Sequence, residues 1–513
     1  MKTYSHDSLS KNEQMKKNIY WCLIPLIILL LNITKASAEE PAVVKKLSFD
    51  QALEITYQNS HTLKQAEYFR KQKDQEAKAA KSLFFPNIGI TAQYVAMSDP
   101  IQLDLRSVRD AIVPLYQTLS KYGKFGDVPG LTDDIATQVI RGKIAQGLGE
   151  IENSNWDQMI QKKQFGTVDA TFQWPLFTGG KILAANKAAN IGKKDASENS
   201  RQKEGEVITE LVERYYGLCL AQQAVKVRNE VLNGLQQHLE DAEKMETEGL
   251  IPHTDVLHAH VFQAQALREL SKAKQTEDII NQALQSTLVM DDSTRIEPAS
   301  QLFYLDSIEP ESHFVELARD NNPLLNQVEI KKQLAIQNSR AEKANYYPTV
   351  GLQGAYDIVN KDLSPYAPDW YVGIGLKWTL FDWTERVNKV KAASFQTKQV
   401  EEVQEKAKSD VGTLIDKLYH ELNMYHEQLI ELESSQKYSD EYLVAREKEF
   451  HQDITNSTEV VDARLALAKV KIERLEVLYD YDLTLAKILE VAGVPQNFST
   501  YYKKSGVKME SYQ

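Results

Sequence analysis

Phe84-Phe85-Pro86-Asn87-Ile88-Gly89-Ile90 returns 262 residues later as Tyr346-Tyr347-Pro348-Thr349-Val350-Gly351-Leu352. Two further stretches return at a different spacing. Phe172-Gln173-Trp174-Pro175-Leu176-Phe177 and Leu376-Lys377-Trp378-Thr379-Leu380-Phe381 lie 204 residues apart, as do Thr254-Asp255-Val256-Leu257-His258-Ala259 and Thr458-Glu459-Val460-Val461-Asp462-Ala463. Patterns held at constant offsets predict two copies of one structural unit, which suits a symmetric assembly better than a single catalytic cleft. The two offsets differ by 58 residues, which places the extra length in the segment 95–164 of the first copy. With Pro100, Pro114, Gly123, Gly126, Pro129 and Gly130, it reads as an elaborated external loop.

Around the two prolines the period of the sequence changes. Ile88, Ile90, Ala92 and Tyr94 alternate with Asn87, Gly89, Thr91 and Gln93, and Val350, Leu352, Gly354 and Tyr356 alternate in the same phase. A second alternating run follows in each copy: Val168, Ala170, Phe172, Trp174 and Leu176, then Val372, Ile374, Leu376, Trp378 and Leu380. Strands of about ten residues, apolar on one face and polar or glycine on the other, with aromatics near the ends, are what transmembrane β-barrels use. Tyr94, Trp174, Tyr356 and Trp378 are the expected membrane-interface aromatics. An edge of a soluble sandwich shows the same alternation and stands as the bland reading.

Helices frame the strands. The pattern from Leu47 to Phe84 is helical, as is its counterpart from Phe314 to Tyr346, and each ends before its proline. From Ile182 to Glu248 and from Thr384 to Phe450 the sequence holds no proline over 67 residues, which predicts two helices roughly 100 Å long. Leu232, Leu235, Leu239 and Ala242 make a narrow seam suited to coiled-coil packing. Breaks at Gly249-Leu250-Ile251-Pro252 and at Asp453-Ile454-Thr455-Asn456 lead into return helices to about Met290 and Val494. The predicted organisation is therefore a signal peptide at 1–38, a first repeat at 39–295, a linker at 296–311, a second repeat at 312–495 and a polar tail at 496–513, loose from Tyr501 on.

Composition narrows the functions available. Lys16 and Lys17, the apolar run from Ile19 to Leu31 and Ala36-Ser37-Ala38 form an export signal with a cleavage site before Glu39. Only Cys219 would remain after cleavage, so no disulfide framework is expected. A net charge of −12 and a pI near 5.5 disfavour nucleic acid as a partner. No apolar run of membrane-helix length follows the signal, which leaves a barrel as the membrane-spanning option. His258 and His260 stand two apart on a helix and His420 and His426 six apart, so neither pair makes a metal site, and no nucleophile–base set or phosphate loop is found. The chain reads as a non-enzyme without cofactor.

Four strands cannot close a barrel, and open edges in lipid leave backbone groups unpaired, so the chain must oligomerise. With its proline-led strands, the Trp174-Pro175-Leu176-Phe177-Thr178-Gly179-Gly180 stretch and the Gly249-Leu250 turn before Asp255-Val256-Leu257, it resembles the TolC-like outer membrane efflux proteins. The resemblance implies an α+β membrane protein: a homotrimer whose four strands per chain build a twelve-stranded transmembrane β-barrel, continued by a long periplasmic α-helical coiled-coil tunnel. It implies an outer membrane location, contact with outer membrane lipid, and docking with a periplasmic adaptor and an inner-membrane pump or ABC transporter. The expected function is the exit channel of a tripartite efflux system for small molecules. The alternatives are the outer membrane duct of one-step protein secretion and, from another class, a periplasmic coiled-coil scaffold without a pore.

The same resemblance assigns roles to particular residues. Glu459 and Asp462 fall where the family carries a carboxylate ring at the periplasmic mouth. They stand one helical turn apart, and an ordinary acidic first turn is the bland alternative. Thr254 and Asp255 match positions that latch the closed tip to a neighbouring hairpin. Gly249, Leu250, Ile251 and Ile454 form the expected adaptor-contact tip, Gly249 reading equally as a C-cap. The sequence departs from the family pattern at Thr455, where a basic residue is expected, at Asp453, where a glycine is expected, and at Thr384, again in place of glycine.

Overall fold

The computed structural model describes residues 43–291, 294–452, 454–510 and 512, so the signal segment and Asp453 lie outside the described residues. The chain divides into two compact units. One is formed by Lys71–Lys194 and Ile330–Glu402; the other holds the chain up to Arg70, Asp195–Glu329 and everything from Val403 on.

The first unit is organised by a four-stranded antiparallel sheet. Its strands are β2 (Asn87–Ala96), β5 (Gln164–Phe177), β8 (Thr349–Lys361) and β9 (Trp370–Lys377), hydrogen-bonded in the order β2-β5-β8-β9. The register aligns the apolar residues across all four strands: Ile88 faces Phe172, Phe172 faces Gly354 and Gly354 faces Val372. Because side chains alternate between faces, this row and the next (Ile90, Ala170, Tyr356, Trp370) lie on one side of the sheet. That side is bare: Ile88 and Ile90 are 77% and 73% exposed and Ile374 is 71% exposed. Gly354 is required by packing, since a Cβ there would stand 2.5 Å from the Phe172 ring.

Both strand pairs are anchored by the same bond. Trp174 Nε1 donates to the Phe84 carbonyl at 2.9 Å and Trp378 Nε1 donates to the Tyr346 carbonyl at 3.1 Å. Each indole thereby ties the end of one strand to the residue two before the proline that opens its neighbour. Past the strands, Gly179 (φ +62°) and Trp383 (φ +54°) both take the left-handed conformation. Glycine is obligatory at 179, where a Cβ would meet the Ala344 carbonyl oxygen at 2.5 Å; Trp383 is 84% exposed, with its ring beside that of Phe381 at 5.5 Å. β9 ends at Lys377, so Trp378 lies just beyond the strand in which the alternation had placed it.

The segment between β2 and β5 is folded. It contains β3 (Ile101–Asp104) paired with β4 (Asp157–Gln161), and between them the helices α3 (Arg106–Tyr122) and α4 (Asp133–Asn153).

In the second unit β1 (Val43–Leu47) runs parallel to β6 (Thr294–Pro298), so Leu47 ends a strand and is not the start of the helix. The predicted single helices are each broken in two. α1 (Phe49–Asn59) and α2 (His61–Lys81) meet at Ser60; α7 (Glu311–Asn321) and α8 (Pro323–Ala344) meet at Asn322. Pro323 disfavours helix at Asn322, and both breaks are capped: Ser60 Oγ accepts from Leu63 N and Asn322 Oδ1 from Leu325 N. The long helices α5 (Lys181–Thr247) and α9 (Glu385–His451) hold 67 residues each, and the return helices are α6 (His253–Leu288) and α10 (Ser457–Val491). The seam residues Leu235, Leu239 and Ala242 are buried, as are Leu211, Leu218, Ile415, Leu422 and Leu429.

Two predicted segments are corrected. The stretch 296–311 is not a bare linker, because it carries the end of β6 and all of β7 (Leu302–Leu305), whose four residues are buried. The tail is not loose: α11 (Phe498–Tyr501) follows a 3₁₀ turn, and β10 (Val507–Glu510) pairs antiparallel with β7. Its polar composition hid two anchors. Phe498 is buried against Phe49, Tyr216 and Phe303, and Glu510 accepts two bonds from Arg474 Nε at 2.6 and 2.7 Å, while Arg474 Nη1 donates to the Leu429 carbonyl. Tyr215 closes the same core by donating to the Leu47 carbonyl and accepting from Ser300 N. Cys219 is core filler, and burial pushes its thiol well above the ordinary range. Replacing Phe498 by Ala should destabilise this unit by about 3–5 kcal/mol. Thermal unfolding of purified protein checks this, and an unchanged midpoint would mean the tail does not contribute to the core.

Candidate functional site

The turns that join α5 to α6 and α9 to α10 carry the residues singled out by sequence. The first ends α5 in a C-cap motif: Gly249 adopts φ +77°, its N–H donates to the Glu246 carbonyl, and Leu250 N donates to the Met245 carbonyl. In the second turn Ile454 N donates to the Glu449 carbonyl, and Asn456 caps α10 by accepting from Glu459 N at 3.1 Å. Beneath both turns one apolar cluster gathers Leu239, Ala242, Val256, Ala259, Phe450 and Val460 from all four helices.

The predicted tip residues separate into two groups. Leu250 and Ile454 project with 51% and 67% of their surface exposed, whereas Ile251 is half-buried against the apolar cluster. Ile251 therefore anchors the turn from inside. Thr254 is exposed and Asp255 half-buried on the first turn of α6, with Asp255 N donating to the Pro252 carbonyl. Within the hairpin α5–α6, His253 Nδ1 lies 2.7 Å from Glu246 and His260 Nε2 3.5 Å from Glu243.

Glu459 and Asp462 both lie on α10 with their carboxylates reachable by solvent, Asp462 exposed and Glu459 partly so. Sequence reasoning missed a cation beside them. Arg446 of α9 brings Nε within 3.8 Å of Glu459, bonds Glu449 at 2.8 Å and stacks over the Tyr442 ring. A basic group thus stands beside Glu459 from the facing helix, nine residues before Thr455. No sequence motif flags it, because the proximity arises only when α9 and α10 fold back on one another.

A second missed feature lies behind the acids. His238 of α5 is buried and shares a 2.7 Å hydrogen bond with Ser457 Oγ, at the first turn of α10. Arg464 of α10 pairs with Glu447 of α9, and its guanidinium lies over Gly234, where a Cβ would stand 1.7 Å from Nη1. His238, Arg464, Glu447 and Gly234 together line a cavity of about 270 Å³. Here a signal existed: a glycine inside a long helix costs about 1 kcal/mol relative to Ala, and its presence marks a close approach.

On the sheet, Tyr94 and Tyr356 are 69% and 57% exposed, and Trp174 and Trp378 are held by the carbonyl bonds described above. Among the described residues no helix is long and apolar enough to cross a membrane, and no group of three metal-ligating side chains occurs.

The outer membrane efflux protein family matches residues 152–288 and 314–494, well over half of the chain. The chain belongs to that family. Its fold is shared with the VceC outer membrane protein of Vibrio cholerae (TM-score 0.64, 13% identity, 87% of this chain and 96% of that one). It is shared also with the CmeC outer membrane channel of Campylobacter jejuni (TM-score 0.66, 12% identity, 89% of both chains). A membrane protein from Pseudomonas aeruginosa aligns with TM-score 0.67 at 13% identity over 89% of this chain and 92% of that one. In sequence the chain is 24% identical to Protein CyaE of Bordetella pertussis over 258 residues, 49% of its own length and 54% of that relative, so it spans about half the length of the curated relative it matches. This efflux-family protein is located in the outer membrane with its helical part in the periplasm.

His238 provides a pH test of the turns. Burial first, then the Arg464 guanidinium nearby, with Asp241 opposing them, lowers its pKa to about 4. Glu447, paired with Arg464, lines the same cavity. The unfolded chain then binds more protons than the folded one between about pH 6.5 and 4, so this group's contribution is present above that window and lost as pH falls through it. Replacing His238 by Gln, which keeps a hydrogen-bonding side chain without titrating, should flatten the fall in melting temperature across that window. A slope equal to wild type would place the acid sensitivity elsewhere.

Proposed function

We propose that this efflux-family protein is the outer membrane exit channel of a tripartite system that passes small molecules outward from a periplasmic adaptor and an inner-membrane pump. The observation that carries the proposal is the sheet: one continuous apolar face left bare, and two edge strands, β2 and β9, with no partner among the described residues. In lipid the bare face is satisfied, but each edge leaves a row of backbone donors and acceptors unpaired, at several kcal/mol per group. Pairing β9 of one copy with β2 of the next closes the sheet, and three copies give a twelve-stranded barrel.

Its opposite face is polar. Asp169 stands directly across from Asp357, with Thr171, Gln173 and Gln353 along the same side, so a closed barrel would enclose a water-compatible lumen. At the periplasmic turns Glu459 and Asp462 repeated in three copies would place six carboxylates at the mouth and favour cations, with Arg446 moderating the charge on Glu459. Leu250 and Ile454 are the apolar residues available to an adaptor, since exposed side chains of this kind on a turn mark contact surfaces.

Two measurements test this. Outer membrane fractions should contain a species that runs as a trimer in unheated detergent gels and as a monomer after boiling; a protein recovered only as a soluble monomer would overturn the channel reading. In planar bilayers, replacing Glu459 and Asp462 together by Ala should weaken cation selectivity and block by multivalent cations. Unchanged selectivity and block would make both acids ordinary first-turn residues.

A further inference from the structure

The folded insertion between β2 and β5 presents two helix faces with nothing on them. Inside the hairpin, α3 turns Ile112, Tyr116 and Leu119 inward, half-buried, and on α4 Ala136 is fully buried. Arg141 Nε of α4 donates to the Gly123 carbonyl at 2.8 Å, which fixes the level of the two helices. A separate seam runs along each. Val108, Ala111, Leu115, Thr118 and Tyr122 of α3 follow the alternating three-and-four spacing of a coiled-coil face, and all five are exposed, Leu115 and Tyr122 by 57% and 67%. Ile135, Val139, Gly142 and Gln146 of α4 repeat that spacing, also exposed.

The two helices carry opposite net charge. α3 carries Arg106, Arg109 and Lys121 against Asp110, while α4 carries Asp133, Asp134, Glu150 and Glu152 against Arg141 and Lys143, so one helix is net basic and the other net acidic. The base of the insertion is fixed to the far half of the sheet. Gln161, itself buried, donates to the Asp362 carbonyl at 2.8 Å and accepts from Ser364 N at 2.7 Å, and Lys162 pairs with Asp362 at 2.5 Å, tying it to the turn between β8 and β9. Width completes the argument. Four strands spaced about 4.8 Å apart occupy roughly 19 Å of a barrel rim, and two packed helices occupy roughly 20 Å. Set along the rim, a copy's hairpin would be as wide as its share of it, so hairpins on neighbouring copies would meet.

We infer that the α3 seam of each copy packs on the α4 seam of the next, so that the assembled channel carries a closed ring of three helical hairpins around its outer mouth. The contact is head-to-tail and uses different faces on the two partners, as a rotational ring requires. Apart from its last two residues, α4, together with all of α3, lies outside the segments matched by the efflux family, so the ring would be this chain's own addition. The inference rests on the trimeric reading above.

Tyr122 and Gly142 neighbour the bonded pair Gly123 and Arg141 and so stand at one level, and a Cβ at 142 meets nothing within 4 Å. Full-length protein carrying Tyr122→Cys and Gly142→Cys, treated in intact outer membranes with a short bismaleimide, should give covalent dimers and trimers that survive boiling. Adding Leu115→Glu should abolish those bands while unheated trimers remain. Trimers that stay uncrosslinked, or that crosslink only within the monomer, overturn the ring and leave the channel intact; crosslinking that persists with Leu115→Glu overturns the seam. Absence of any heat-modifiable trimer removes the channel reading, and the ring with it.

Discussion

The unpaired backbone of two edge strands is the constraint on which the rest of this protein depends. β2 and β9 end a four-stranded sheet whose outer face is apolar, and such a sheet is stable neither in water nor alone in lipid. Water would be left against Ile88, Ile90 and Ile374; lipid would be left against unbonded peptide groups. Membership of the outer membrane efflux family agrees with the closure by further copies proposed above.

The duplication of the sequence has a physical correlate in two small devices. The indole N–H bonds of Trp174 and Trp378 to Phe84 and Tyr346 fix strand ends against the segments that precede Pro86 and Pro348. The left-handed residues Gly179 and Trp383 then turn the chain from strand to long helix. That the second position tolerates tryptophan follows from its open surroundings, while Ala344 crowds the first. Equivalent backbone geometry is thus kept with different residues wherever the local space permits.

Electrostatics at the helical turns is more balanced than a count of acids suggests. Arg446 beside Glu459, and Arg464 with Glu447 over Gly234, set cations among the carboxylates, and a neutral His238 holds the first turn of α10. The turns are thereby fastened by side chains of the chain itself. Acidification acts on it through His238, whose buried ring resists protonation until about pH 4.

The sequence by itself determined the class of elements and their order. Period-2 alternation around Pro86 and Pro348, proline-free stretches of 67 residues and constant offsets are local signals, and local backbone preference obeys them. It also located the turns and the exposed apolar residues Leu250 and Ile454. Tertiary structure alone decided what depends on distant partners. The polar tail joined the core because Phe498 and Glu510 found Phe49, Tyr216 and Arg474, which lie far off in sequence. Ile251 turned inward, Arg446 reached Glu459, and the glycine- and proline-rich segment after β2 became a helical hairpin fixed by Gln161 to another turn. Periodicity reports which face of an element is apolar; it carries no information on which other element will cover that face, and that pairing is set by packing among residues the chain brings together only on folding.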